Sequence, residues 1–395
     1  MRKLTIVFHH AGGGHKSAAD ALKATLSSQK EPWDVTLLDI QALLDPLDLI
    51  RRFTGLRIQD TYNAILRKGW TRVTPALLVV LKSTIWIYHA PIVKLLRTYW
   101  AENPADLVLS VVPHFNREIA ESLRPVGGKI VGGKTAAKTP FVTLITDLAD
   151  YPPHFWIERE SEYIIAGTEK ARQQALAIGV PTDHVFLTSG MILKPKFYER
   201  IAVDRVAERK KLGLEPDCPT AIVLFGGHGS QVMVDITKIL NEANSGVQLI
   251  LICGHNEKLA EEIKKLPTKK PIAVVGFASN VEYYMALADF FIGKPGPGSI
   301  SEALQFHLPV IVECNGATLP QERYNAEWVT EKGYGIVVRS FKEIAPAVQR
   351  LLDSSTFAEF QTRTGQYSNR ALFEAPVILD QCAERTTAAT EPQPV

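Results

Sequence analysis

Cysteine is scarce in this chain: four residues among 395, Cys218, Cys253, Cys314 and Cys382, with no C-x-x-C pair. That spacing excludes a disulfide framework and offers no zinc motif, so reduced thiols in a reducing compartment are expected. An excess of charge of one sign is also missing. Forty-four Lys and Arg stand against 42 Asp and Glu, a formal net charge of +2, which gives nucleic acid no chain-wide electrostatic footprint. No apolar run reaches the roughly 18 residues of a spanning helix. The longest, TPALLVVLKSTIWIYHAPIVKLL, is interrupted by Lys82, His89, Pro91 and Lys94. The N-terminal LTIVF is too short for the core of a secretory leader and no cleavage site follows, so no leader is expected. Finally, the glycines of VFHHAGGGHKSAADALKATL do not make a P-loop. That loop needs glycine directly before the lysine, and His15 stands there.

What is present is a folded, soluble composition: 46% hydrophobic and 22% charged residues. The length suffices for two domains. Short apolar runs alternate with helical patterns. LTIVFHH, WDVTLLDI, DLVLSVV, FVTLITDL, YIIAG and HVFLTSG read as strands of one sheet; TAIVLFGG, VQLILICG, IAVVGF, DFFIGKPG, PVIVEC and GIVVRS read as strands of a second. Continuous Val/Ile/Leu/Phe runs fit parallel strands buried on both faces, and the intervening helices fit βαβ units. The expectation is an α/β chain of two doubly wound domains, 1–195 and 196–365. Prolines and charges cluster at the join in MILKPKFYERIAVDR. A helical segment, 366–385, is expected to pack back on the first domain, and 386–395 to be a disordered tail.

Two stretches break this rhythm. Arg124–Pro140 is a glycine-lysine loop, either a flexible surface loop or a mobile basic flap near an anionic partner. Gln41–Trp100 carries nine basic residues (Arg51, Arg52, Arg57, Arg67, Lys68, Arg72, Lys82, Lys94, Arg97) against Asp45, Asp48 and Asp60. Trp70, Trp86, Tyr88, Tyr99 and Trp100 are interleaved with leucines. This mixture suits binding in the plane of an anionic membrane; it also suits a helical subdomain with a solvated basic face. RNA is a weaker partner, since no RNA-binding motif accompanies the charge.

Chemistry concentrates at strand-to-helix turns. LTIVFHH, the glycines and SAADALKATL form a strand, a turn and a helix whose free N–H groups lie beside an imidazole. Strand alternation sends His9 and His10 to opposite faces, against a metal site built on His9, His10 and His15. In IVLFGGHGSQVM, Gly226, Gly227, Gly229 and Ser230 lead into a helix; in FFIGKPGPGSISEALQFH, Lys294, Pro295, Gly296, Pro297, Gly298 and Ser299 do the same. Either loop alone is equally a tight connection. Together they place two helix starts at the carboxyl ends of strands in one sheet, where open α/β sheets bind ligands. A diphosphate there needs little or no metal. Glu302, placed in the first turn of the second helix, either binds ribose hydroxyls or compensates the helix dipole. LPQERYNAEWV presents Gln321, Glu322, Arg323 and Asn325, either a sugar-reading run or a polar helix start.

Three blocks together resemble the glycosyltransferases of family 28, which have the GT-B fold: HHAGGGHKSAADAL; TLITDLADYPPHFWIERESEYIIAGTEKARQQALAIGVPTDHVFLTSGMILKPKFYE; and GFASNVEYYMALADFFIGKPGPGSISEALQFHLPVIVECNGATLPQERYNAEWVTEKGYG. The likeness spans Met1 to about Arg339, is most specific in the last block, and in the middle block is nearer the diacylglycerol enzymes than the peptidoglycan enzyme. It implies two Rossmann-like domains facing a cleft and an inverting transfer of glucose or galactose from a UDP-sugar, with no cofactor and no metal. Diacylglycerol is the implied acceptor. By that likeness His15, after Gly13 and Gly14 of the acceptor-side loop, is a candidate base. Asp147 of ITDLADY is a second candidate or orients His15. Gly227, Gly229, Ser230 and Gly298 belong to the donor loops. Ser299, Ile300, Ser301 and Glu302 match the donor motif, whose glutamate holds the ribose. The backbone of Phe277 faces the uracil, and Gln321, Glu322 and Asn325 read the sugar. The diacylglycerol enzymes carry more glycines where this chain has His228 and Ser230. Combined with the basic insert, the implied place of work is the inner face of the cell membrane, with anionic lipids as partners. A polyprenyl-linked or soluble acceptor, an epimerase on the same fold and a non-catalytic nucleotide-sugar-binding protein are the competing readings.

Overall fold

The computed structural model describes residues 1–10, 13–47, 74–125, 130–131, 134–135, 139–199 and 201–390. They form two compact units: Met1–Lys194 together with the segment from Arg370, and Pro195–Asn369.

The first unit is built on a six-stranded sheet. Its strands are β1 (Lys3–Phe8), β2 (Asp34–Asp39), β3 (Leu107–Ser110), β6 (Phe141–Leu144), β7 (Tyr163–Ala166) and β8 (Val185–Leu187), in the order β2-β1-β3-β6-β7-β8. Every pairing in it is parallel. β3, β6 and β7 are buried along their whole length, so their runs are continuously apolar rather than alternating. Between β3 and β6 a short antiparallel pair, β4 (Ile130–Val131) with β5 (Lys134–Thr135), stands inside the glycine-lysine stretch that was expected to be loop.

The second unit repeats the plan. β9 (Thr220–Leu224), β10 (Gln248–Ile252), β11 (Ile272–Val275), β12 (Phe290–Gly293), β13 (Val310–Glu313) and β14 (Gly335–Val338) run in the order β11-β10-β9-β12-β13-β14, again all parallel. Its core joins sheet residues such as Val223, Leu251, Phe290 and Ile311 to Ile236, Ile263, Ile344 and Leu351 of the covering helices.

Both sheets reverse direction at one point. In the first, the chain leaves β1 for β2 on one side and β3 on the other; in the second, it leaves β9 for β10 and returns at β12. Such a reversal opens a crevice at the carboxyl ends of the two central strands. The glycine turns of the sequence lie at these two places.

The last helix, Ala371–Thr390, belongs to the first unit. Asp380 accepts from Arg2 and, at 3.0 Å, from the Trp33 indole, while Glu374 accepts from the Ser189 backbone and hydroxyl. The helix continues past residue 385 to Thr390, into the stretch expected to be a disordered tail. Of the basic insert, residues 48–73 lie outside the described residues, with Arg51, Arg52, Arg57, Arg67, Lys68, Trp70 and Arg72 among them.

Candidate functional site

Three neighbouring strands of the first sheet deliver polar groups to one edge. After β1 comes the helix Gly14–Ser27, whose N-cap Gly13 has φ 77° and whose start has no side-chain cap. A non-glycine residue at that φ would be strained. Gly14 has an ordinary φ, and a Cβ there would meet nothing within 4 Å. Its lack of a side chain therefore leaves the helix start open rather than relieving a clash. His15, the second residue of the helix, has Nδ1 2.9 Å from the Thr146 hydroxyl, just past β6. Its ring lies 4.3 Å from that of His9 and 5.6 Å from that of Trp156. Burial drives its pKa down to about 4, against a small upward pull from the Val111 carbonyl. His15 is thus a neutral imidazole at pH 7, able to accept a proton.

Asp147 is buried, and its Oδ2 accepts from the Trp156 indole at 2.8 Å. Trp156 is held by Asp150, which accepts from the backbone N–H groups of His154, Phe155 and Trp156. His114 follows β3 with φ 73°, a left-handed conformation that costs a histidine energy. Its buried Nδ1 has no partner among the described residues, and burial, then the charges of Lys82 and His15, push its pKa down to about 3. His9 is likewise lowered, by burial first and by the neighbouring histidines next. Three neutral imidazoles therefore gather here. Among the described residues, no group of three His, Cys, Asp or Glu side chains is disposed to hold a metal.

The second sheet presents the other set. Gly229 (φ 58°) and Gly254 (φ 60°) are glycines of necessity: a Cβ would come 2.9 Å from the Cys253 carbonyl at the first and 2.1 Å from the Gly227 carbonyl at the second. Gly227 and Gly298 are different, since a Cβ at either meets nothing within 4 Å. Ser230 precedes the helix Val232–Glu242. Beyond β10 and β11, the rings of His255 and Phe277 stack at 4.1 Å and 17°, and Phe277 is exposed. The helix Pro297–Gln305 starts at Gly296, again with no side-chain cap. Ser299 and Glu302 lie on its more open side, whereas Ile300 and Ser301 are fully buried and contribute backbone and packing. Glu302 is the sixth residue of that helix, in its second turn and not its first, because the helix begins at Pro297. The helix Pro320–Lys332 carries Glu322 in its first turn, with Gln321 beside it. Asn325 is fully buried and donates to the Pro295 carbonyl at 2.8 Å, bracing the loop before the helix Pro297–Gln305.

Sequence reasoning missed Thr146, His114, Trp156, His255 and the ion pair of Lys294 with Glu322, 2.7 Å. Thr146 adjoins Asp147 and Lys294 heads the loop before the helix Pro297–Gln305, so position alone hinted at both; nothing in the sequence signalled the His255–Phe277 stack.

Two Rossmann-like units with polar carboxyl edges define the GT-B fold. The chain is similar over 96% of its length to the MurG of Acinetobacter baumannii, covering 99% of that chain at a TM-score of 0.58 and 12% identity. It is similar throughout to the MnaA–UDP structure of S. aureus, covering all of both chains at 0.62 and 14%. At such identity the likeness concerns the fold. Residues 221–372 match the model of the glycosyltransferase family 28 C-terminal domain. Among curated proteins, monogalactosyldiacylglycerol synthase 1, chloroplastic, of Arabidopsis thaliana is 26% identical over 359 residues, 88% of this chain and 64% of that protein. The chain is thus family 28-like in its second unit and monogalactosyldiacylglycerol synthase-like along most of its length, and it spans about two thirds or less of the first such relatives.

Proposed function

We propose that this chain is a UDP-sugar-dependent glycosyltransferase that moves a hexose, with inversion at C1, to the hydroxyl of diacylglycerol at a membrane surface. The observation that carries the proposal is the pairing of a neutral His15 at an uncapped helix start with similarity to monogalactosyldiacylglycerol synthases over 88% of the chain. An alcohol is a weak nucleophile at neutral pH and needs a base within hydrogen-bond reach. In this reading the acceptor oxygen bonds C1 as its proton passes to His15. The C1–O bond to UDP breaks, and UDP leaves with the electron pair. The charge on the departing diphosphate is met by the open helix start at Gly296 and by the Gly227 turn, without a metal.

The lipid acceptor is supported by the helix Thr74–Ile87. Val79, Val80, Trp86 and Ile87 are 65%, 59%, 72% and 67% exposed on it. These positions fall on one helical face. Exposed Lys94 and Arg97 follow on the next helix, His89–Glu102. No single described helix is long and apolar enough to cross a membrane, but this bent pair passes by length and composition. An apolar face flanked by cations suits a helix lying in an anionic interface. The same helix donates from Lys82 to the carbonyls of Pro153 and His154, in the loop that carries Trp156. The free cysteines agree with a reducing side of the membrane, its inner face.

The test incubates the protein with diacylglycerol in anionic vesicles and either UDP-glucose or UDP-galactose, with glycolipid read by mass spectrometry. Glycolipid from one donor, lost in His15→Ala, is the expected result. Vesicle binding without glycolipid from either donor rejects this acceptor and favours a polyprenyl-linked or soluble one. Equal binding to anionic and neutral vesicles rejects the preference for anionic lipid, and absent binding to both rejects the membrane surface.

A further inference from the structure

We infer that Asp150 is a positioning residue for the acceptor side: it shapes the loop that sets the Trp156 indole against Asp147 and His15. Its role in transfer rests on the glycosyltransferase reading above. Asp150 follows Asp147 beyond β6 and is buried. Both of its carboxylate oxygens are engaged by the chain ahead of it. Oδ2 accepts from the His154 N–H at 3.0 Å, and Oδ1 accepts from the Phe155 and Trp156 N–H groups at 2.9 and 2.6 Å. Its own backbone is gripped by Gln174 of the helix Glu169–Ala177. The Gln174 amide donates to the Asp150 carbonyl at 3.0 Å and accepts from the Asp150 N–H at 2.8 Å. One side chain thus fastens three successive residues of a loop, while a helix holds the residue that carries it.

Those bonds lead to Trp156. Its carbonyl accepts from Asn116 at 2.8 Å. Its indole N–H donates to Asp147 Oδ2 at 2.8 Å, and its ring lies 5.6 Å from that of His15. One indole therefore meets both candidates for the base. Its N–H orients the Asp147 carboxylate, and its ring keeps water from one side of His15. The loop takes this shape against its own preferences. His154 has φ 59°, and His114, whose N–H donates to the Phe155 carbonyl at 2.9 Å, has φ 73°. Both are left-handed conformations that strain a histidine. Desolvation also raises the Asp150 carboxyl above its ordinary range, outweighing the three backbone N–H groups that pull it down. Ionised Asp150 is thus less favourable to the fold than its protonated form. Backbone strain and an expensive buried charge in one short loop point to a shape kept for the site rather than for stability.

The experiment titrates the His15 ring by NMR in the full chain and in Asp150→Asn and Asp150→Glu, alongside kcat and KM for the UDP-sugar. Asparagine at 150 keeps one acceptor oxygen but sets an NH2 group against the loop's N–H groups. In Asp150→Asn the indole loosens, water reaches His15, and its midpoint is expected to rise by about one pH unit or more. A fall in kcat of about tenfold or more, with KM for the donor within about twofold, should accompany it. Asp150→Glu, which keeps the charge, should recover part of both effects. An unmoved His15 midpoint in a folded Asp150→Asn chain overturns the assignment even if kcat falls, because the residue then only maintains the fold. A raised midpoint with unchanged kcat removes its part in transfer. If Asp150→Asn does not fold, Gln174→Met, which releases Asp150 from the helix and leaves the carboxylate in place, is read in the same way. A wild-type chain that transfers no sugar to lipid overturns the transferase reading and the role in transfer with it, whereas the midpoint still decides whether Asp150 holds the indole.

Discussion

His15 and His89 are two histidines whose environments push in opposite directions. His15 is partly exposed, but desolvation lowers its pKa to about 4. Between pH 6.5 and about 4 the unfolded ring takes a proton that the folded ring refuses, so stability contributed by the neutral ring is present above 6.5 and lost as pH falls through that window. An NMR titration of the His15 ring should therefore show a midpoint well below 6; a midpoint near 6.5 would contradict the desolvation. His89 sits between two carboxylates, Nδ1 2.8 Å from Glu118 and Nε2 2.8 Å from Glu121. Burial lowers its pKa, but the hydrogen bonds and charges of both carboxylates outweigh that and raise it. Its contribution is complete below the unfolded value of about 6.5 and disappears as pH rises through the raised folded value. His89→Ala is expected to flatten the loss of thermal stability on the alkaline side of neutrality. An unchanged slope would remove His89 as its source. At this scale the sequence was only partly legible. It marked His15 and Asp147 as polar residues at strand ends, yet Thr146 Oγ1 on His15 and the Trp156 indole on Asp147 arise from residues 131 and 9 positions away, which no local pattern reports.

At the scale of the element, the two kinds of glycine separate packing from binding. Gly254→Ala places a Cβ 2.1 Å from the Gly227 carbonyl at φ 60°. The conformation alone costs about 1 kcal/mol, and the loop must also move, so both melting temperature and UDP affinity should fall. Gly227→Ala meets nothing within 4 Å. If phosphate approaches the backbone there, UDP affinity should fall with the melting temperature unchanged. A drop in melting temperature comparable to that of Gly254→Ala would assign Gly227 to the fold. Glycine-rich runs were easy to find in the sequence, but which glycine serves which purpose depends on φ and on the strand next door. The helices tell the same story. PGPGSISEALQFH announces a helix after a strand, but its starting residue shifts Glu302 by a turn, and the full burial of Ile300, Ser301 and Asn325 has no signature in that local run. The central strands β3, β6, β7, β9, β10 and β12 were legible because burial on both faces writes itself as nearly uninterrupted Val, Ile, Leu and Phe. The pair β4–β5, two residues in each strand, was too short to leave a periodic signal.

For the whole molecule, the helix Ala371–Thr390 is the part that joins distant chain. It buries Leu372, Ala375, Leu379 and Cys382 and brings Asp380 to Arg2 and Trp33. Deleting residues 371–395 should lower the melting of the first unit by more than about 5 °C while a calorimetric transition belonging to the second unit keeps its temperature. A uniform drop in both would mean that the units melt as one.

That helix also sets an order of events during synthesis. The second unit is a single uninterrupted length of chain, Pro195–Asn369, and all its strands have been translated before the helix at 371 is made. The first unit begins earlier and ends later. Its opening strand and the indole of Trp33 wait, with an apolar flank uncovered, through the translation of more than three hundred residues. The half of the protein born first is the half finished last, and until then it is the nascent chain's most tempting surface for a chaperone.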